Sequence, residues 1–244
     1  LFNTTSTTYF NVSDADFTSN NPLDPGNEAS SAIVDHSIAR LNLDFRIRFG
    51  QKYLSYPDEK FNLPNDRYPT LNIGYEAGFL SNNRENRFHQ FKAQLTQNFS
   101  VADKGRFAYN LRAGAFVDAS SISFVDFQHF NGNRSYVTVR DYMDSFFLLP
   151  YYDLSTNNSY FEGHMEHNFN GWIMNKLPLL KKLNAHLIVS GKLLATEGNS
   201  PYSEFGIALG NLGINKVRFL RVGYAQSHFN GVVERGLNIG LVFP

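Results

Sequence analysis

The chain has 244 residues, of which 22 are basic and 22 acidic, so its formal net charge is zero. A neutral chain offers no electrostatic field that would attract nucleic acid, and no nucleic-acid partner is expected. The sequence contains no cysteine, which excludes disulfides, thiolate metal sites and cysteine nucleophiles.

The apolar residues are distributed in short stretches rather than long ones. Runs such as residues 146–149 fall far below the roughly 20 residues that a transmembrane helix needs. The aromatic content is nevertheless high, with 23 Phe and 13 Tyr, in a chain that is polar on average. A chain that is apolar at alternate residues has this combination of properties.

Strict alternation begins at residue 38 and predicts a first strand over residues 38–49. Leu41, Leu43, Phe45 and Ile47 lie on one side of it, and Asp44, Arg46 and Arg48 lie on the other. The same pattern predicts eight more strands, at residues 70–79, 91–99, 106–115, 161–169, 186–193, 205–209, 220–224 and 237–243. The prediction is therefore an all-β chain of about nine strands.

Alternation fits a soluble β-sandwich as well as a membrane barrel, because both have one apolar and one polar face. Most of the predicted strands are about ten residues long, which is the length needed to cross a bilayer at a tilt. Short connections at residues 100–105 and 211–216 alternate with a long one at residues 118–158, although 50–68 and 170–183 break this rule. These features favour an antiparallel transmembrane β-barrel over residues 38–244, located in a bacterial outer membrane.

The last predicted strand carries a second membrane signal. Leu237, Ile239, Leu241 and Phe243 form one apolar stripe that ends next to the C-terminal residue. Such a stripe is the insertion signal by which barrel-assembly machinery recognises outer-membrane barrels. The alternative interpretation is an ordinary final strand.

The polar sides of the strands should face the barrel interior, where opposite charges can pair. The predicted interior charge network consists of Asp44, Arg46, Arg48, Glu76, Lys92, Arg112, Glu162, His164 and Glu166. Glu162, His164 and Glu166 share one face and could also bind a divalent metal. A polar interior explains them without a metal, so we predict no metal and no cofactor.

Residues 118–158 are too long for a simple connection and are rich in aromatic residues. Exposed apolar groups in such numbers usually mark a contact surface. We therefore predict that this loop folds into the barrel mouth, with Phe130, Arg140, Asp141 and Tyr142 as its occluding residues. A hydrolase site on the rim has little support, because His228 and Glu234 lack a nucleophile, and no catalytic residue is predicted.

Five stretches of the second half carry a resemblance to a known family. They are residues 129–133 (HFNGN), 147–157 (FLLPYYDLSTN), 166–171 (EHNFNG), 175–183 (NKLPLLKKL) and 201–206 (PYSEFG). From Phe127 onward the chain resembles a Bacteroidetes-type family of outer-membrane proteins with an N-terminal carboxypeptidase-regulatory-like domain and a C-terminal barrel of unknown function. The resemblance implies that this chain is the C-terminal part of a longer protein, with residues 1–37 forming a surface loop or an incomplete strand.

That family is similar in turn to the superfamily of barrels that assemble or translocate outer-membrane proteins. The analogy implies that the nine strands are the last nine of sixteen. It also implies a non-catalytic role in protein assembly, in translocation or in an envelope complex, with membrane lipid, the barrel-assembly machinery and other outer-membrane proteins as partners. The superfamily's Arg-Gly-Phe loop tip is absent here, where residues 139–142 read VRDY. The alternative function is a solute channel or partner-gated porin.

Overall fold

A computed structural model gives the fold of the chain. It describes residues 37–63, 67–79, 87–133, 137–138, 142–178, 181–214 and 217–241. Almost all of the predicted region 1–37 lies outside the described residues, as do Arg140, Asp141 and Phe243.

Twelve strands form in the described part of the chain. In chain order they are β1 (Ala39–Arg48), β2 (Tyr53–Ser55), β3 (Lys60–Asn62), β4 (Thr70–Phe79), β5 (Phe88–Ser100), β6 (Arg106–Val117), β7 (Val137–Thr138), β8 (Tyr160–Asn168), β9 (His186–Thr196), β10 (Tyr202–Ile214), β11 (Val217–Phe229) and β12 (Val232–Leu241). Apart from these strands, the regular secondary structure of the described residues consists of short 3₁₀ helices. No helix among the described residues is long and apolar enough to span a membrane.

Nine long strands build one antiparallel sheet in the order β1-β4-β5-β6-β8-β9-β10-β11-β12. Each strand pairs with the next long strand along the chain, so the sheet is a meander. The prediction of an all-β fold with nine antiparallel strands is confirmed. No pairing between β1 and β12 occurs in the described part of the chain.

The alternation of residue types divides the sheet into two faces, because successive side chains of a strand point to opposite sides. The cross-strand register places Leu43 beside Tyr75 and Asn42 beside Glu76, and the same division continues through all nine strands. We call the apolar side the outer face and the polar side the inner face. The predicted polar and apolar sides of the strands match these two faces.

Several of the long strands extend beyond their predicted bounds, and β10 is a clear case. The prediction ended at Leu209, whereas the strand continues to Ile214. The pairing of β10 with β11 shifts register between Leu209 and Leu212. A bulge adds one residue to a strand and so breaks the period of two. The sequence pattern is therefore lost at a point where the backbone remains paired.

Two local pairings have no counterpart in the sequence prediction. Strands β2 and β3 form a small antiparallel hairpin within the connection between β1 and β4. Strand β7, inside the predicted long loop, pairs in parallel with the free edge of β12 at Ile239 and Gly240. The chain between β6 and β8 thus reaches the last strand of the sheet before it returns.

Candidate functional site: a segment held on the inner face

The inner face buries ionisable side chains at its centre. Glu162, His164, Lys192, Glu204 and Arg221 are each no more than 4% exposed. Charged groups are rarely buried to this extent unless they are paired, because their desolvation is costly. Their partners therefore reveal how this part of the protein is held together.

Many of these partners lie in residues 142–149, which we call the inner segment. The chain leaves β7 at the edge of β12 and returns across the inner face to the start of β8 at Tyr160. On the way the inner segment contacts residues of β6, β8, β9, β10, β11 and β12. It thus lies across the side of the sheet that sequence analysis assigned to a barrel interior.

Glu204 of β10 binds the backbone of the inner segment. Its carboxylate accepts hydrogen bonds from the amides of Phe147 (2.7 Å), Leu148 (2.8 Å) and Leu149 (3.2 Å). The hydroxyl of Tyr202 donates a fourth hydrogen bond, at 2.6 Å. A carboxylate that receives several such bonds is well solvated by the protein itself, and bonds to a charged acceptor are the strong ones.

Lys192 of β9 binds carbonyl groups of the same segment. Its Nζ donates to the carbonyl of Tyr142 (3.0 Å) and to that of Ser145. The same atom lies 3.6 Å from the centroid of the Phe147 ring, which is a cation–π contact. Glu204 lies directly opposite Lys192 in the sheet. The acidic residue therefore holds amides and the basic residue holds carbonyls of one stretch of backbone.

A third set of contacts joins the inner segment to β6. Asp144 forms an ion pair with Arg112 and accepts a hydrogen bond from Asn110 Nδ2 at 2.6 Å. Asn110 also donates to the carbonyl of Met143 at 2.8 Å. Arg112 reaches Glu162 at 3.4 Å, and Glu162 lies 2.7 Å from His164. One connected network thus extends from the inner segment into β8.

Side-chain amides extend this network toward the first strand. Arg46 Nε donates to Asn72 (3.0 Å), and Asn72 donates to Gln94 (3.2 Å). Gln94 in turn donates to Asn110 at 2.9 Å. Because Asn110 binds Asp144, the hydrogen bonds all run in one direction from β1 to the inner segment. Such chains polarise one another and can strengthen each bond.

Apolar packing supplements the polar contacts. Phe130, Phe146, Leu149, Tyr160, Leu194 and Tyr202 form a buried cluster between the long connection and the sheet. Glycines on the inner face make room for the inner segment. A Cβ on Gly236 would lie 2.6 Å from Leu148 Cδ2, and one on Gly206 would lie 3.2 Å from Phe147 Cε2 and 2.5 Å from Ser190 Oγ.

The space above Gly206 gives a testable prediction. Gly206→Val should lower the free energy of unfolding by about 1–3 kcal/mol, because the added methyl groups force Phe147 and Ser190 from their positions. Urea unfolding would measure the change. Gly191→Val is the matched control, since a Cβ there meets no atom within 4 Å. Equal losses for the two variants would contradict the packing described for Phe147.

The predicted charge network is brought together only in part. Glu76 pairs with Lys92 at 2.6 Å, and Glu166 pairs with Arg221 at 2.8 Å. In the part of the chain that the structure describes, Asp44, Arg46 and Arg48 form no ion pair. Among all the residues that the structure describes, no group of three or more His, Asp or Glu side chains is arranged to hold a metal ion.

The residues predicted to occlude the barrel mouth are described in part. Phe130 and Tyr142 are buried, at 5% and 8% exposure. The ring of Tyr142 lies 3.9 Å from the guanidinium carbon of Arg221. Of the predicted insertion signal, Leu237 and Ile239 lie exposed on the outer face.

Several residues central to the site were not among the sequence candidates. These are Asn110, Asp126, Asp144, Lys192, Glu204 and Arg221. Lys192 occupies a polar position of a predicted strand, which was the available signal, whereas Glu204 lies just before the predicted strand 205–209. Asp126, which pairs with Arg40, and Asp144 lie in the long connection, where no periodicity marks them. Their role depends on which strands the connection crosses.

The pKa values of two ionisable residues in the long connection are shifted by their surroundings. Burial lowers the pKa of His129, whose Nδ1 lies 2.9 Å from Ser155 Oγ. Burial also raises the pKa of Tyr142, an effect that the neighbouring Arg221 opposes. Both shifts favour the neutral form, as expected for groups packed within a folded connection rather than on a mobile surface.

The rim pair considered for a hydrolase is not assembled. Ser227, not His228, lies opposite Glu234 in the pairing of β11 with β12. His228 therefore points to the outer face and Glu234 to the inner face. His228 instead lies 2.7 Å from Gln226 on its own strand. The geometry offers these two residues no shared chemistry.

Comparison with known families identifies the chain's relatives. A model described as the family of unknown function (DUF5686) C-terminal domain matches residues 1–209. The chain belongs to this family. The match to the DUF5686 C-terminal domain confirms the resemblance to a family of unknown function. The family match also corrects the extent of the resemblance, because the match covers residues before Phe127 as well.

The DUF5686 match ends at residue 209, within β10. It includes the inner segment, Lys192 and Glu204, whereas β11, β12 and Arg221 lie beyond it. A search of the curated proteins and a search of the solved structures find no match to this chain.

Proposed function

We propose that this DUF5686 domain is an outer-membrane β-barrel, or a large part of one, with a non-catalytic role. The observation that supports it most strongly is the distribution of apolar side chains. Large apolar residues are exposed on the outer face, including Phe45 (61%), Phe205 (58%) and Leu237 (63%). Charged residues are buried on the inner face. A water-soluble antiparallel sheet has the opposite arrangement, with its apolar face in the core.

The exposed apolar surface is continuous. Each of the nine long strands contributes at least one large exposed apolar residue, and examples in sheet order are Leu43, Ile73, Phe91, Val117, Met165, Leu193, Ile207, Tyr224 and Ile239. Soluble monomers rarely expose apolar patches larger than a few hundred Å². Contact with lipid acyl chains removes this surface from water, and so supports the membrane proposal.

Strand length supports the same proposal. The long strands have 9 to 13 residues, whereas about 9–11 tilted residues cross the hydrocarbon core of a bilayer. Closure of the sheet would satisfy the backbone groups at its edges, which is required of strands in lipid. The proposal therefore includes the strands that would pair with the free edges of the sheet.

The inner segment bears on what the barrel does. Its backbone is held by Glu204 and Lys192, and its side chains fill space over β8 to β12. An interior filled in this way favours a role in protein assembly, in translocation or in an envelope complex over free diffusion of solutes. The similarity to assembly barrels points in the same direction, with membrane lipid, barrel-assembly machinery and other outer-membrane proteins as partners.

Fractionation tests the membrane proposal. The protein should pellet with outer membranes, require detergent for extraction and migrate differently on gels before and after boiling, because folded barrels resist denaturation by detergent. A protein that stays soluble without detergent, and whose mobility does not change on heating, would contradict the proposal.

A solute channel is the second candidate, favoured by one recess. A cavity of about 450 Å³ opens beside the inner segment and is lined by Tyr68, Thr70, Gln94, Thr96, Asn98 and Asn110, among others. Its hydroxyl and amide groups, together with the carboxylate of Asp144, suit a polar solute. Under this alternative the recess continues into a path that the long connection restricts.

Removal of the long connection tests whether it restricts the interior. Deletion of residues 121–145 should raise single-channel conductance and sensitivity to large antibiotics, because it removes the contacts made by Asp144 and Tyr142. Planar-bilayer recordings and growth assays would measure both, with membrane insertion checked by heat-modifiable mobility. Unchanged conductance in a correctly inserted variant would show that the connection does not restrict the interior.

A further inference from the structure

An aromatic and basic cluster lies at the end of the sheet where β5 joins β6 and β8 joins β9. The rings of Phe107, His167, Phe169 and Trp172 follow one another, with centroid separations of 6.1, 4.2 and 6.2 Å. Phe107 and His167 belong to the outer face of β6 and β8. The ring series therefore begins at the apolar face and ends at Trp172, in the connection beyond β8.

Two lysines lie near the ring of Trp172, and two more follow in the same connection. Lys176 Nζ lies 4.0 Å from the centroid of the Trp172 ring, and Lys104 Nζ lies 6.0 Å from it on the other connection. Lys181 and Lys182 follow in the same connection, and all four lysines are exposed. Residues 101–105 and 169–185 contain these four lysines and one acidic residue, Asp103.

The local fold holds this cluster in place. The imidazole of His167 lies 3.1 Å from the carbonyl oxygen of Lys104, which ties the two connections together. The amide of Trp172 donates to Phe169 at 2.9 Å, and the amide of Asn175 donates to Gly171 at 2.9 Å. Trp172 and Lys176 therefore sit on an ordered turn rather than on a free loop.

The opposite end of the sheet carries exposed acidic residues. Its exposed ionisable residues include Asp118, Asp153 and Glu197, in the connections that follow β6 and β9. A charge difference between the two ends indicates that they meet different surroundings. Exposed Leu177 (45%) and Leu183 (50%) add apolar surface near the lysines in the same connection.

We propose that the surface formed by Lys104, Trp172, Lys176, Lys181 and Lys182 binds the headgroups of anionic phospholipids. Aromatic side chains favour the headgroup level of a bilayer, where the ring is partly apolar and the indole N–H can remain hydrated. Clustered lysines next to a membrane-spanning region attract anionic lipid. The outer face then contacts acyl chains while the cluster contacts phosphate groups. This inference rests on the proposed membrane location.

Trp172 is the only tryptophan of the chain, so its fluorescence reports on this surface directly. The protein would be reconstituted in vesicles of phosphatidylcholine that contain, at equal mole fraction, either phosphatidylglycerol or phosphatidylcholine with brominated acyl chains. Bromine quenches tryptophan on contact. We expect the anionic lipid to associate with the site about threefold or more tightly, as the attraction of each basic residue near the surface predicts.

Charge variants test which residues are responsible. A triple Lys176→Gln, Lys181→Gln, Lys182→Gln variant should lose the preference, and the triple Lys→Arg variant should keep it. The matched control removes three charges from the connection between β1 and β4, by Lys52→Gln, Lys60→Gln and Arg67→Gln. That control should retain the preference, because those residues lie several strands away.

The outcomes separate the two proposals. Equal quenching by the two brominated lipids in the unmodified protein would overturn the headgroup inference and leave the membrane proposal intact. Loss of the preference in the control variant as well would overturn the assignment to this surface. If neither brominated lipid quenched Trp172, this surface would not contact lipid and the headgroup inference would fall, while fractionation would still decide the membrane location.

Discussion

Replacing Glu204 by alanine should release the inner segment from the sheet. The variant leaves three buried amides, those of Phe147, Leu148 and Leu149, without their acceptor. Removing one partner from a buried charged arrangement typically costs about 3–5 kcal/mol, because the remaining groups are desolvated and unpaired. Hydrogen exchange of these amides should accelerate by a factor on the order of 10² to 10³, since about 1.4 kcal/mol corresponds to tenfold.

Mass-spectrometric measurement of exchange in the peptide that contains residues 146–150 would follow this release. Glu197→Ala is the matched control, because Glu197 is exposed in the connection after β9 and does not contact the inner segment. The control should leave exchange unchanged. Unchanged protection in the Glu204 variant would mean that the carboxylate does not hold the segment.

Arginine at position 43 should destabilise the protein strongly. Leu43 lies mid-strand on the outer face, beside Tyr75 of β4. If this face contacts lipid, Leu43→Arg should lower the free energy of unfolding from vesicles by about 2–4 kcal/mol, the cost of a basic side chain near the bilayer midplane. Urea titration of the protein folded into vesicles would provide the measurement.

The adjacent residue offers a control with the same new side chain. Asn42 lies on the inner face opposite Glu76, so Asn42→Arg places its charge beside a carboxylate. This variant should cost far less than Leu43→Arg. A similar cost for the two variants, or a larger one for Asn42→Arg, would contradict the assignment of the faces.

The number and order of the nine long strands could be predicted because each contains a stretch in which apolar and polar residues alternate. Burial of one face fixes the register of a strand, since a slip of one residue would exchange the two faces. The strand ends were less predictable. At β10 the register shift after Leu209 breaks the alternation, so the sequence pattern does not reveal the rest of the strand. Strand β7 pairs with β12 through the backbone of two residues only, which leaves no pattern of residue types.

Only the strand residues of the candidate site could be predicted from the sequence. Lys92, Arg112, Glu162 and Glu166 alternate with apolar residues, so their common face follows from the sequence. What Glu204 binds does not follow, because its partners are backbone amides, which every residue except proline carries. The contact depends on the path of residues 142–149 across the sheet, which is a property of the whole fold.

Cysteine scanning of β1 tests the membrane location most directly, because the chain contains no cysteine that would give a background signal. Single cysteines at each of positions 41–47 would carry an environment-sensitive fluorophore in vesicles with brominated lipid. We expect quenching by lipid at Leu41, Leu43, Phe45 and Ile47, but not at the three positions between them. Quenching that ignores this period of two, or equal access of a water-soluble quencher to all seven positions, would contradict a lipid-facing outer face.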